Sequence, residues 1–118
     1  MRTLSEHGDS VLNSKLTITV MDEQGPGGAH HDYELAGFAG GPLRIRFQNG
    51  GIAEQGANGV SNEALLVIVL DRLRSFQKGP YACRPNGAAI EDIEYALSAL
   101  ESRTKDRVAR GVEGRTIL

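Results

Sequence analysis

Two amphipathic stripes separated by a short, unusual connector constrain this chain more than anything else in it. Leu66, Val69, Leu73 and Phe76 recur at spacings of three and four, and Ile90, Ile93, Leu97 and Leu100 repeat the pattern further on. That period belongs to helices, and a short link between two such stripes predicts that they face each other as an antiparallel helical hairpin over 61–110. Ser61 reads as the N-cap of the first helix, with Glu63 in the first turn, where the dipole favours an acid. Pro85 suits the first turn of the second helix, and Gly111 supplies its stop. The run Ala64 to Leu70 is apolar on every side, so the first helix needs a second neighbour besides its partner helix. The sheet or another subunit would supply it. The connector, Gly79-Pro80-Tyr81-Ala82-Cys83-Arg84-Pro85-Asn86-Gly87, gathers a ring, an amide and a cation at one end of the pair.

The residues before Gly59 have a different texture. Leu16, Ile18 and Val20 alternate with Thr17 and Thr19, which is strand periodicity carried by β-branched residues. Tyr33, Leu35 and the region to Phe38 read as a returning strand, and Leu43, Ile45 and Phe47 alternate with Arg44 and Arg46 as a third. Asn49-Gly50-Gly51 is a turn, after which Ile52 reads as the start of a short fourth strand. Antiparallel strands over 15–53 are expected, with Met1 to Ser14 frayed and Val112 to Leu118 open in conformation. At 118 residues the chain is expected to be one α+β domain spanning 1–118. Only 5% of residues are aromatic, so a single-chain core is small, which favours an oligomer. The net charge of -2 opposes general adhesion to DNA or RNA. One cysteine excludes an internal disulfide, and neither a signal core nor a membrane-length apolar run occurs, so the expectation is cytosolic.

The chemistry is sparse. His30 and His31 are adjacent, so a strand would point them to opposite faces. With Asp22, Glu23 and Asp32 they read as a solvated loop, and no Cys or His set completes a metal site. Cys83 has Lys78 and Arg84 nearby but no histidine in its own region, and reads as a small packed thiol. Gly25-Pro26-Gly27-Gly28 lacks the ending of a phosphate loop. Arg103, Arg107 and Arg110 share a face at the end of the second helix, where the dipole alone accounts for cations. Asn86 near a helix start has an ordinary role as a cap, and Phe76 an ordinary role in the core. Jointly, a ring, an amide and several guanidiniums in a net-negative chain point to a concentrated anion site, since guanidinium grips phosphate and a ring stacks on a base.

From Asn58 to Gly114 these residues carry a resemblance. Asn58-Gly59-Val60-Ser61-Asn62-Glu63-Ala64-Leu65-Leu66, Asp71-Arg72-Leu73, Ser75-Phe76-Gln77, the connector from Gly79 to Arg84, Asn86, Arg103-Thr104 and Arg110-Gly111-Val112-Glu113-Gly114 resemble the phage Thoeris anti-defense sponges. These are related through their helical hairpin to phage anti-CBASS sponges. Leu43 to Gly50 is similar as well, whereas residues 1–40 show no match. One departure is Pro85-Asn86-Gly87, where the family pattern has an acid before the Asn and a residue other than Gly after it.

The resemblance implies a protein without catalytic residues, metal or cofactor. Its partners would be a cyclic nucleotide immune messenger and further copies of itself, from a dimer up to a hexamer. The messenger would be glyco-cyclic ADP-ribose and, at a second site with Lys78, a cyclic oligonucleotide. On matching positions Phe76 would stack on adenine, Asn86 would bond the nucleotide, and Arg103 would grip pyrophosphate or ribose, joined by Arg84 and by Arg44 or Arg46. The place of action would be the cytoplasm of an infected bacterium, away from membranes, DNA and RNA. A hydrolase of the same messengers would need a general base or metal set. A helical adaptor for a host protein would need no small ligand.

Overall fold

The alternation of Ile18 and Val20 with Thr17 and Thr19 becomes the second strand of a four-stranded antiparallel meander. The computed structural model describes residues 1–115 and Ile117; the expectation for the tail at Thr116 and Leu118 lies outside the described residues. The strands are β1 (Arg2–Leu4), β2 (Thr17–Val20), β3 (Asp32–Ala36) and β4 (Leu43–Arg46), in the order β1-β2-β3-β4. After them come a single helical turn, α1 (Ile52–Gln55), and two long helices, α2 (Asn62–Gln77) and α3 (Arg84–Ala109). The chain forms two compact units, Met1–Val60 and Ser61–Leu118.

Register sorts the side chains of the first unit. Ile18 lies opposite Leu35 and Val20 opposite Tyr33, and Tyr33 in turn faces Ile45. Strand periodicity therefore puts Ile18, Val20, Tyr33, Leu35 and Ile45 on one face and Thr17, Thr19, Asp32, Glu34, Arg44 and Arg46 on the other. Val20, only 1% exposed, is the centre of the apolar face. Tyr33 meets Phe47 edge to face at 5.6 Å between ring centres.

The N-terminus is not frayed. Arg2, Thr3 and Leu4 pair with Val20, Thr19 and Ile18, and His7 Nε2 donates to the Leu16 carbonyl at 3.0 Å. Ile52 does not begin a strand; it opens α1, which Gly51 caps and Gly56 ends. The reason is a staple of side-chain bonds across the segment's base. Asn58 Oδ1 accepts from Asn49 N–H at 2.8 Å while Asn58 Nδ2 donates to the Asn49 carbonyl at 2.9 Å. Gln48 completes it, accepting from Asn58 N–H at 3.0 Å and donating to the Gly56 carbonyl at 2.7 Å. Drawn back this way, the chain passes so close to β4 that a Cβ on Gly59 would lie 2.4 Å from the Phe47 carbonyl carbon. Only glycine fits there.

In the second unit the expected caps hold. Ser61 Oγ accepts from Ala64 N–H at 3.1 Å, and Pro85 sits in the first turn of α3. The inner face of α2 is shifted from the expected stripe. Leu66, Leu70 and Leu73 line it, with Leu70 4% exposed, whereas Val69 and Phe76 lie outside it. The apolar run 64–70 offers a helix two overlapping stripes, and packing selects the one through Leu70. Ile90, Ile93, Leu97 and Leu100 of α3 are all half-buried, as their spacing requires. Arg74 of α2 donates to Glu94 of α3 at 2.8 Å.

Candidate functional site

The shift of stripe on α2 turns Phe76 outward. Its ring is 38% exposed and carries the Arg72 guanidinium, one helical turn earlier, 5.1 Å from its centre. That contact is a cation–π interaction between neighbours at i and i+4, and it occupies one side of the ring. Lys78 follows as the C-cap of α2 with its side chain exposed. The connector then turns through Gly79 and Ala82, whose amides donate to the Phe76 and Gly79 carbonyls at 3.1 and 3.3 Å.

Cys83, not Asn86, is the N-cap of α3, and it provides no side-chain cap bond. Its amide is instead taken by Gln77 Oε1 at 2.9 Å. Cys83 is exposed, contrary to the expected packed thiol, because it lies outside the contact between α2 and α3. Arg84 opens α3 with an exposed side chain, and Asn86 is half-buried in the same first turn. Phe76, Lys78, Arg84 and Asn86 therefore gather around the connector. The arrangement offers a ring for stacking, an amide for hydrogen bonding and two cations for phosphate.

The remaining arginines differ in how far they are engaged. Arg107 is half-buried and donates through Nη2 to the carbonyls of Val112 at 3.0 Å and Arg115 at 2.9 Å, tying the tail back to α3. Arg110 stands 3.6 Å from Asp106. Arg103 is exposed on α3, 17 residues beyond Asn86, which is roughly 25 Å at about 1.5 Å rise per residue. A single α3 thus holds Arg103 well away from the connector cluster.

The strand arginines belong to the first unit. Arg44 forms a bidentate pair with Asp32, Nε at 2.6 Å and Nη2 at 2.8 Å. That hydrogen bond, and the Arg44 charge behind it, outweighs desolvation and holds the Asp32 carboxyl below the usual carboxylate range. The same bond raises the guanidinium's hold on its proton. Arg46 lies directly across from Asp32 in the ladder and adds to the field that favours its anion. Of the two, Arg44 is the one with both ends of its fork already filled.

His30 and His31 are not a solvated loop. His31 is 8% exposed, and Asp22 Oδ2 and Oδ1 accept from the His31 and Asp32 amides at 2.9 and 3.2 Å. Desolvation pushes the Asp22 carboxyl up, but these amides and the nearby His30 outweigh it, so the carboxyl titrates below its usual range. His30 Nδ1 donates to the Asp22 carbonyl at 2.8 Å. The signal for this was present in the sequence as an aspartate just before a glycine-rich turn, a residue that commonly bonds backbone amides. Among the described residues no group of three or more His, Cys, Asp or Glu is placed to hold a metal ion. No helix among them is long and apolar enough to cross a membrane.

No family model matches the chain. A protein of Bacillus phage SBSphiJ7 named Thoeris anti-defense 1 is 43% identical over 98 residues, a stretch covering 80% of this chain and 69% of that protein. A match of that extent is longer than residues 41–118 can supply, so the similarity reaches into the first 40 residues, where none was expected.

Proposed function

The chain belongs to the Thoeris anti-defense 1 family, and on that premise we propose that it is a phage anti-defense sponge. It binds a cyclic nucleotide immune messenger of the glyco-cyclic ADP-ribose kind and keeps it from its effector without degrading it. The observation that carries this reading is the outward Phe76 ring, backed on one side by Arg72 and neighboured by Arg84 and the half-buried Asn86. Base stacking on a ring is worth about 1–3 kcal/mol per base. A guanidinium already seated on one side leaves the other as the stacking surface.

Arg103 completes the site from a second chain. The roughly 25 Å of α3 between Asn86 and Arg103 exceeds the reach of one arginine, so both meet one small ligand only if two helical hairpins pack antiparallel about a two-fold axis. Val67, Ile68 and Val69 stand exposed on α2, with Ile68 at 64%, and supply apolar surface for such packing. Symmetry then gives two equivalent pockets per dimer. Lys78 is assigned to a second site for cyclic oligonucleotides. Of the strand arginines, Arg44 is engaged with Asp32 within the first unit.

The test is binding followed by recovery. The protein is incubated with glyco-cyclic ADP-ribose, and the ligand is assayed after denaturation. A sponge returns it intact and is stabilised by it, by roughly 2.7 kcal/mol at a hundred times the Kd. Recovery of a cleaved messenger would make the protein a hydrolase, and no thermal shift would favour the adaptor reading. Mixing a Phe76→Ala chain with an Arg103→Ala chain restores one pocket per heterodimer if the site is shared. Heterodimers that still bind nothing would place Arg103 elsewhere.

A further inference from the structure

The connector between α2 and α3 has little of its own to hold it. Tyr81 is 75% exposed, and Gly79, Pro80, Ala82 and Cys83 are exposed with it. The backbone bonds from Gly79 and Ala82 reach only to Phe76 and Gly79, so they shape the turn without fixing it to the second helix. A side chain makes that connection. Gln77, the last residue of α2, accepts from the amide of Cys83, the N-cap of α3, at 2.9 Å.

Gln77 is half-buried between two exposed neighbours, Phe76 and Lys78. Its amide also extends past Cys83, for Nε2 stands 3.5 Å from where a Cβ on Gly87 would lie. One planar amide thus bonds Cys83 and lies alongside Gly87, on either side of Asn86 in sequence. The backbone that carries it is continuous with the backbone that carries Phe76. The gap between the ring and Asn86 is therefore bridged by one hydrogen bond, from the Cys83 amide to Gln77 Oε1. A Cβ on Gly87 would meet the amide at ordinary contact distance, so the amide's place does not depend on glycine there.

We propose that Gln77 is a positioning residue for the nucleotide site, setting the spacing of Phe76 and Asn86 before any ligand arrives. This rests on the reading of those two residues as ligand contacts. Gln77 acts through the connector and not on the messenger. A site whose parts are already placed spends less of its binding energy on ordering them. Glutamate could accept from the Cys83 amide equally well, whereas methionine has the same reach and a good helix propensity but no comparable acceptor.

The experiment pairs Gln77→Met with Gln77→Glu and reads two quantities. The first is hydrogen exchange of the Cys83 amide in ligand-free protein; the second is affinity for glyco-cyclic ADP-ribose. In Gln77→Met the Cys83 amide exchanges about fivefold faster, the equivalent of one ordinary hydrogen bond, while amides inside α2 and α3 keep their protection. Affinity falls by about the same factor. In Gln77→Glu the slow exchange is retained, which a purely steric role for this side chain would not require. Unchanged exchange in Gln77→Met, or fast exchange in both variants, overturns the bridge. Wild-type protein that binds with Gln77→Met its equal in affinity overturns the positioning role while leaving the functional reading in place. Wild-type protein that binds no messenger overturns both, and does so on the parent chain alone.

Discussion

The first unit ties its loops with polar side chains bonded to its own backbone, whereas α2 and the connector leave a run of apolar and aromatic groups exposed. Asp22, Gln48 and Asn58 each bond main-chain groups eight to ten residues away, and Arg44 is bound to Asp32 across the sheet. On α2 and the connector, by contrast, Val67, Ile68, Val69, Phe76 and Tyr81 are exposed. A side chain already satisfied within its own fold has little left for a ligand, because any new bond must replace an old one. The difference makes the polar network of the first unit a frame, whereas α2 and the connector keep rings and apolar side chains exposed.

The largest effect that would break this division is steric. Gly59→Val drives a side chain into the Phe47 backbone, with the Arg46 carbonyl oxygen 2.7 Å from the Cβ position as well. Backbone atoms cannot rotate away, so the cost is about 3 kcal/mol, read as a lower urea midpoint. A melting curve matching wild type would show that the segment after β4 is not held where the staple puts it.

Next comes Arg103→Ala, which sharpens the contrast from the other side. Loss of a charge-assisted hydrogen bond should weaken messenger binding by about 1.5–3 kcal/mol. Stability should fall by under about 1 kcal/mol, as for an exposed helix cation. Calorimetry and thermal melting on one preparation separate the two, and equal losses would make Arg103 part of the frame.

Acid sets a third comparison. Asp22 and Asp32 both titrate below the ordinary carboxylate range in the fold. The unfolded chain therefore takes up their protons first as pH falls. Their contribution is complete above the unfolded value of about 3.9 and disappears as pH drops through the lower folded values. Amides of the β2–β3 connection should lose protection over that window. Asp22→Asn should make the acid limb shallower, and an unchanged limb would remove Asp22 from the account. The smallest effect is expected of Arg74→Ala. Its pair with Glu94 is about half exposed on both sides, so stability changes by less than about 1 kcal/mol, and less still in salt.

How much of this was legible in the sequence follows from what each signal depends on. Ser61, Pro85 and the alternating strands act locally, and all three are where a local reading puts them. β1 was not legible, because Arg2-Thr3-Leu4 has no period of its own and becomes a strand only by pairing with β2. Ile52 reads as a strand start because the bonds that curl the chain into α1 come from Gln48 and Asn58 on either side of it. The α2 stripe was off by one residue at two positions, since an all-apolar run carries no phase. That error had a consequence for the site. A core role for Phe76 is an expectation from spacing, and the outward ring appears only when packing chooses Leu70 over Val69. Gln77 carried no signal, since a glutamine at a helix end looks like any solvated one.

The staple at Asn49 and Asn58 also separates the length of a segment from the geometry of what flanks it. Because the two asparagines close the loop at its base, β4 and the Val60 bridge to Phe47 keep their register whatever lies between them. Doubling a closed loop of this sort costs only about 0.6 kcal/mol in chain entropy. A residue added between Gly51 and Gln55 is therefore expected to leave the Val60 bridge to Phe47 in register.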